Sequence, residues 1–399
     1  MGDVWGRART ATEDPLEALI GYYTNGLEAL TGYYKLANLA TSNAVKSSKT
    51  AGLGTSACHR IAMRCTLTPL AGARQHPAGG ACCHVLEIEN IATILLDCGW
   101  DDGFDPQCLA ALAEIAPRID AVLISHSSVN HLGALPHARK HLGLTAPIYA
   151  TLPVRKMGQL TMYDAYAIAS ARRVGGAAAF DAEAFSLEDV DACFDEIREL
   201  KYAQTVKLLG DGPTLPMTIA PHPAGHTLGG CFWRVRVAAE DIFYCPEYNH
   251  QRERHLPAGL LMQVAAHSKP SCLIASARHT LVAASKAAPK ELAEYATSAL
   301  ARGGDVLIPT DAAGRCLELV LVLEAHWRAH RGRYDKFPIV LLHSQARNTL
   351  AFARSQIEWM GDEVRHLPTS LIFPIYPTST HIYPRPQLHS LRSPPVRCS

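Results

Sequence analysis

The sequence predicts an α/β sandwich, two sheets face to face between layers of helix. Two observations carry this. From Cys65 to about Val237 short β-rich apolar runs alternate with helical patterns, a density of strand and helix that fits two covered sheets. The composition, 48% hydrophobic and 19% charged over 399 residues, is that of a soluble globular chain long enough for two or three domains.

The elements follow in order. Residues 1–60 form an extension, helical or disordered. In it "LEALIGYYTNG" from Leu16 is followed directly by "LEALTGYYKLA" from Leu27, a period of eleven that fits three helical turns over about 15–40. The Ser/Thr/Gly-rich "TSNAVKSSKTAGLGTSA" after it reads as a linker. Over 61–255 lies the sandwich. "IATILLDCG" is a strand, and "DPQCLAALAEIAPRI" a helix opened by Asp105 with Pro106 at its first position. "DAVLISH" is a strand, "LGALPHARKHLG" a helix, "PIYAT" a strand and "LPVRKMGQLTMYDAYAIASA" a long helix. In that helix Met157, Leu160, Met162, Tyr163 and Tyr166 read as core and domain contact. A polar, Ala/Gly-rich bridge leads to the helix "SLEDVDACFDEIREL", then to four strands, "AQTVKLLG", "LPMTIAPHP", "CFWRVRV" and "DIFYCP".

A second α/β unit occupies 256–365. Its helices are "ELAEYATSALARGG", "GRCLELVLVLEAHWRAHRG" and "SQARNTLAFARSQIEWMGDEV", and its strands "DVLIPTD" and "FPIVLLH". From His366 to Ser399 there are seven prolines and no acid, so 366–399 is expected to be a disordered tail.

Charge and cysteine usage narrow the class. Thirty-eight basic against 37 acidic residues give no field that would draw the chain to nucleic acid or to an anionic membrane by net charge. The twelve cysteines are scattered, apart from Cys82–Cys83, with no knuckle spacing, which suits free thiols in a reducing compartment. No secretory signal, myristoylation pattern or membrane span is legible.

Strand ends that open into polar loops are where α/β folds place their chemistry. Four ends here carry capable residues: Asp97 after "TILL", His126 after "AVLIS", His226 in "PAGHTLGG" and Glu247 after "DIFYC". This order resembles the metallo-β-lactamase fold, in which a strand ending in Asp is followed by a His-x-His-x-Asp-His loop, a later His and a later Asp around two zinc ions. Longer strings, "IYATLPVRKMGQLTMYD" and "DAAGRCLELVLVLEAHW" above all, are similar to the non-catalytic branch of the metallo-β-lactamase/β-CASP family in mRNA 3′-end processing. The likeness spans about Cys65 to Val364. It implies a metallo-β-lactamase αββα sandwich with an inserted, here incomplete, β-CASP domain.

On the family loop, His126 takes the first ligand position, Ser128 the second, Asn130 the acid and His131 the last. A hydroxyl is a poor substitute for imidazole on zinc, and neutral Asn supplies no charge to steady two dications. His226 matches the later His. Glu247 stands for the bridging Asp, and its extra methylene displaces the carboxylate by about 1.5 Å, against a ligand tolerance of about 0.2 Å. Ala275 in "LIASARHT" replaces an acid of active relatives, and no residue matches the later histidines that complete the site. Asp97 and Gly225 are expected to be structural. His222 and His279 read as ordinary histidines.

The resemblance therefore implies a pseudo-nuclease with vestigial metal positions, no catalytic residue and no zinc. It would be a nuclear, RNA-associated scaffold whose partners are the endonuclease subunit, neighbouring scaffold proteins of the cleavage and polyadenylation complex, and pre-mRNA through that complex. Two other expectations compete with it. One is a zinc-dependent RNA phosphodiesterase using His126, His131, His226 and Glu247; the other is a C-terminally truncated product without function.

Overall fold

The computed structural model describes residues 64–71, 80–174, 184–209, 216–276 and 288–366. The expected N-terminal helix, its linker, the Ala/Gly-rich bridge, His279 and nearly all of the Pro-rich tail lie outside them.

Two sheets make the sandwich. The first has six strands in the order β1 (Cys65–Ala71), β2 (Cys83–Ile88), β3 (Ala92–Cys98), β4 (Ala121–Leu123), β5 (Ile148–Thr151) and β6 (Arg198–Leu200). β1 to β3 form an antiparallel meander, and β3 to β6 run parallel. Parallel neighbours need crossovers. These are α1 (Ala110–Ile115), the pair α2 (Val129–Leu132) and α3 (Leu135–His141), and the long α4 (Leu152–Val174) with α5 (Leu187–Asp195). Asp105 and Pro106 open the 3-10 turn leading into α1 as expected, the Asp105 carboxylate accepting from the Gln107 amide at 2.9 Å.

The second sheet is β7 (Val206–Leu209), β8 (Met217–Pro223), β9 (Cys231–Val237) and β10 (Glu240–Cys245), antiparallel throughout. After α6 (Leu261–Ser268), β11 (Cys272–Ala275) pairs parallel to β10 and gives the order β11-β10-β9-β8-β7.

Side-chain alternation along each strand divides the core. Leu86, Ile94, Leu96 and Leu123 face Ile219, Trp233, Val235 and Tyr244 between the sheets. Val85, Leu95, Val122 and Ile148 point the other way, under Leu135, Val154 and Phe194 of the helical cover and Phe185 just before α5. Each such buried aliphatic contributes roughly 1.5–3 kcal/mol, and β3 supplies both layers at once.

The structure corrects the expected elements at several places. The helix read through "DEIREL" stops at Asp195, and Arg198–Leu200 becomes β6 because the parallel edge of β5 offers it ladder partners. "DVLIPTD" and "FPIVLLH" form no strand, and Leu307 (83% exposed) and Leu342 (72%) stand out in solvent. An apolar β-branched run becomes a strand only where another strand offers its backbone groups, and among the described residues none does so here. The boundary expected at 255/256 also moves. Val264 and Ala265 of α6 pack on Phe232 and Phe243, and β11 joins β10, so the first unit runs to about Ala275.

The second unit is helical: α7 (Ala288–Ala301), α8 (Cys316–Ala329), α9 (Ala346–Ser355) and α10 (Asp362–Arg365). Leu317, Leu321, Met360 and Val364 meet Met157 and Leu160 of α4, the face the sequence assigned to domain contact. Polar contacts reinforce this seam. Glu318 accepts from the Arg254 and His255 amides at 3.0 and 3.2 Å, and Arg315 Nη1 donates to Glu253 Oε2 at 2.6 Å and to the His226 carbonyl at 3.0 Å. The ten described cysteines are free thiols, and among the described residues no helix is long and apolar enough to cross a membrane.

Candidate functional site

The four strand ends converge. Asp97, near the end of β3, adopts φ 58°, a left-handed conformation that Asp tolerates better than most residues, and its carboxylate is fully buried. Oδ1 accepts from the Ser125 amide at 2.7 Å, and Oδ2 from Ser125 Oγ and Tyr244 OH, each at 2.7 Å. Burial pushes the Asp97 carboxyl upward, and these donated bonds with the nearby His131 oppose it. Through these bonds Asp97 ties the end of β3 to the loop after β4 and to β10.

Ser125 passes the brace upward. Its single proton goes to Asp97, so its oxygen accepts from His126 Nδ1 at 2.9 Å, which fixes the imidazole tautomer and leaves the lone pair on Nε2. His126 is wholly buried, and Gly230 lets it approach: a Cβ there would lie 2.7 Å from His126 Cδ2 and 2.9 Å from Nε2. His131 rests 5.0 Å away, ring centroid to ring centroid, and His226 5.7 Å away edge-on. Glu247 Oε2 lies 3.0 Å from His226 Nε2. The whole His226 turn depends on Gly225 (φ +74°), where a Cβ would sit 2.4 Å from the Gly259 nitrogen and 2.5 Å from the Asn249 oxygen.

The two substituted loop positions do different things. Ser128 Oγ lies 2.8 Å from His131 Nδ1 and is committed to it. Asn130 accepts from the Cys82 amide at 2.6 Å through its main-chain carbonyl and is one of the residues that line the cleft. Burial would lower the His131 pKa, but Glu247, Asp97 and Cys82 outweigh it and push it up to about 10.

The donor set falls short of a two-ion centre. One atom each from His126, His131 and Glu247 lie within 4.8 Å of one another, enough to hold a single cation between two imidazoles and a carboxylate. A second ion is not matched: Ser128 supplies a hydroxyl already bonded to His131, Asn130 no charge, and both Asp97 oxygens are taken. A second group, Glu253, His255 and Glu318, has the same spacing, but its carboxylates are engaged by Arg315, His255 and two amides at the seam.

Above the loop a cavity of about 300 Å³ opens between α4 and the start of α8. Asp102, Asp164 and Asp311 line it with Ser127, Asn130 and Thr227, and none of the described lining residues is Lys or Arg. Sequence reasoning missed the roles of Ser125, Tyr244 and these aspartates, although Ser125 lies inside "DAVLISH", Tyr244 inside "DIFYCP", Asp164 ends "IYATLPVRKMGQLTMYD" and Asp311 opens "DAAGRCLELVLVLEAHW". Ala275 is exposed on β11, and His222 is buried on β8 against Phe232, away from the convergence.

Residues 85–276 match a family described as a metallo-beta-lactamase superfamily domain. The chain is 41% identical over 302 residues to the cleavage and polyadenylation specificity factor subunit 2 of Arabidopsis thaliana, covering 75% of this chain and 38% of that protein. To the probable cleavage and polyadenylation specificity factor subunit 2 of Drosophila melanogaster it is 41% identical over 285 residues, 71% of this chain and 36% of that one. To the cleavage factor two protein 2 of Schizosaccharomyces pombe it is 36% identical over 286 residues, 70% and 33% respectively. The chain spans less than half the length of the curated relatives it matches.

Proposed function

We propose that the chain, similar to cleavage and polyadenylation specificity factor subunit 2 and carrying a metallo-beta-lactamase superfamily match, is a non-catalytic, RNA-associated scaffold of pre-mRNA 3′-end processing. It keeps a hydrolase's architecture and works by shape, holding the endonuclease subunit and neighbouring scaffold proteins in the nucleus.

The carrying observation is the loop itself. Ser128 spends its hydroxyl on His131, and Asn130 brings a neutral amide, so the loop offers neither an imidazole nor a carboxylate at two positions where a two-ion hydrolase needs ligands. The cleft above it supports the same reading. A phosphodiester entering there would face Asp102, Asp164 and Asp311 with no Lys or Arg among the described lining residues, and like charges in a partly dry site repel strongly.

Metal analysis of the purified chain together with an RNA cleavage assay tests this. Zinc well below one per chain and uncut RNA are expected. Two stoichiometric zinc ions with cleavage that His126→Ala abolishes would overturn the proposal. A second reading rests on the convergence of His126, His131 and Glu247, which suits a phosphodiesterase with one ion; one zinc per chain with cleavage would select it. Partner binding is read by pull-down with the endonuclease subunit.

A further inference from the structure

The outer face of the second sheet is divided between an apolar and a charged half. Phe232, Phe243 and Cys245 lie under α6, and further along the same strands Arg234, Arg236 and Asp241 share that face where the helical cover ends. A pocket of about 330 Å³ opens there, lined by Arg234, Arg236, Gln263, Val264, His267 and Ser268.

The two arginines are held in a fixed geometry. Asp241 stands directly opposite Arg236 across the β9–β10 ladder and is 2% exposed. Its carboxylate accepts from Arg234 Nε and Nη2 at 3.0 and 2.8 Å, and from Arg236 Nε and Nη2 at 2.8 and 2.9 Å. One carboxylate balances one of two guanidinium charges. The pair therefore keeps a surplus positive charge, on side chains already ordered by the clamp, and the clamp leaves both Nη1 nitrogens out. A buried Asp needs only one Arg for charge balance. The second guanidinium is in excess, and no acidic side chain lines the pocket.

We infer that this pocket is an oxyanion site that takes a phosphate group, offered by the backbone of RNA passing over the outer face of the second sheet. A fixed guanidinium pair matches the oxygens of a phosphate with several parallel hydrogen bonds, and ordering the side chains in advance removes much of the entropy that binding would otherwise lose. The RNA source rests on the proposed function, whereas the phosphate chemistry rests only on the pocket. The acidic cleft and this basic pocket would sort the chain's two faces: RNA on the outer one, none in the cleft.

The test uses the full chain, a fluorescent single-stranded RNA of twelve nucleotides and inorganic phosphate. Arg236→Gln is the informative variant, because Arg234 still partners Asp241. Expected are a 3- to 10-fold weaker RNA affinity in low salt and a fall of about one in the slope of log affinity against log salt, as for one lost phosphate contact. Arg236→Lys, which keeps the charge and loses the fork, should fall between, and it decides the matter if Arg236→Gln does not fold. Perturbation of the arginine side-chain NMR signals by inorganic phosphate, with unchanged RNA binding in both variants, would keep the oxyanion site and overturn its assignment to RNA. Signals blind to phosphate and an unchanged salt slope would overturn the whole inference. Zinc-dependent RNA cleavage would defeat the proposed function and leave these readouts unaffected.

Discussion

His255 Nδ1 lies 2.6 Å from Glu318 Oε2 across the seam between the two units, with His255 fully buried and Glu318 nearly so. Burial would raise the Glu318 pKa, but His255 and the two amides outweigh it and hold the carboxyl below its ordinary value. Glu318→Ala leaves His255 and two amides without an acceptor, and chemical denaturation should show a loss of about 3–5 kcal/mol. Because the folded value is depressed, the contribution is complete above about pH 4.3 and disappears as pH falls through the folded value. A denaturation series below pH 5 should show a steeper fall for the wild type than for Glu318→Gln.

Asp97 holds three donors, two from Ser125 and one from Tyr244. Asp97→Ala orphans all of them in a dry core and should lower stability by about 3 kcal/mol or more, whereas Tyr244→Phe, leaving the two Ser125 bonds, should cost about 1 kcal/mol. On the proposed reading without a metal, a strong chelator should leave the melting temperature of the purified chain unchanged, whereas an ion held by His126, His131 and Glu247 would make it fall.

Gly225 is expected to tolerate no side chain. With φ +74° and a Cβ forced within 2.5 Å of two backbone atoms, Gly225→Ala should destabilise by more than about 2 kcal/mol and displace His226. Loss of the native His226 signal in an imidazole NMR spectrum would register the second effect.

His222 is stacked on Phe232 at 5.3 Å, and burial, then the Arg234 charge, lower its pKa to about 4. The unfolded side chain protonates near pH 6.5, so stability declines as pH falls from there to about 4, by roughly 2–3 kcal/mol in all. His222→Asn should flatten that part of the stability profile.

The strand ends were legible because each is a short apolar run that stops at a polar residue, a local signal that found Asp97, His126, His226 and Glu247 together. Their supports were not. Tyr244 reaches Asp97 across 147 residues and Arg315 reaches the His226 carbonyl across 89, and no periodicity connects such pairs. "DVLIPTD" and "DEIREL" misled in opposite directions for one reason: a strand is a property of two chains of backbone. The first run has β-branched residues and no neighbour, and the second has helical formers beside an open parallel edge.

Leu307 and Leu342, each more than two-thirds bare, lie on backbone that joins no strand ladder among the described residues. Such surfaces are sticky toward one another. A stock of this chain should behave as a colloid near its threshold, scattering more light as it is concentrated and clearing when Leu307 and Leu342 are both replaced by lysine.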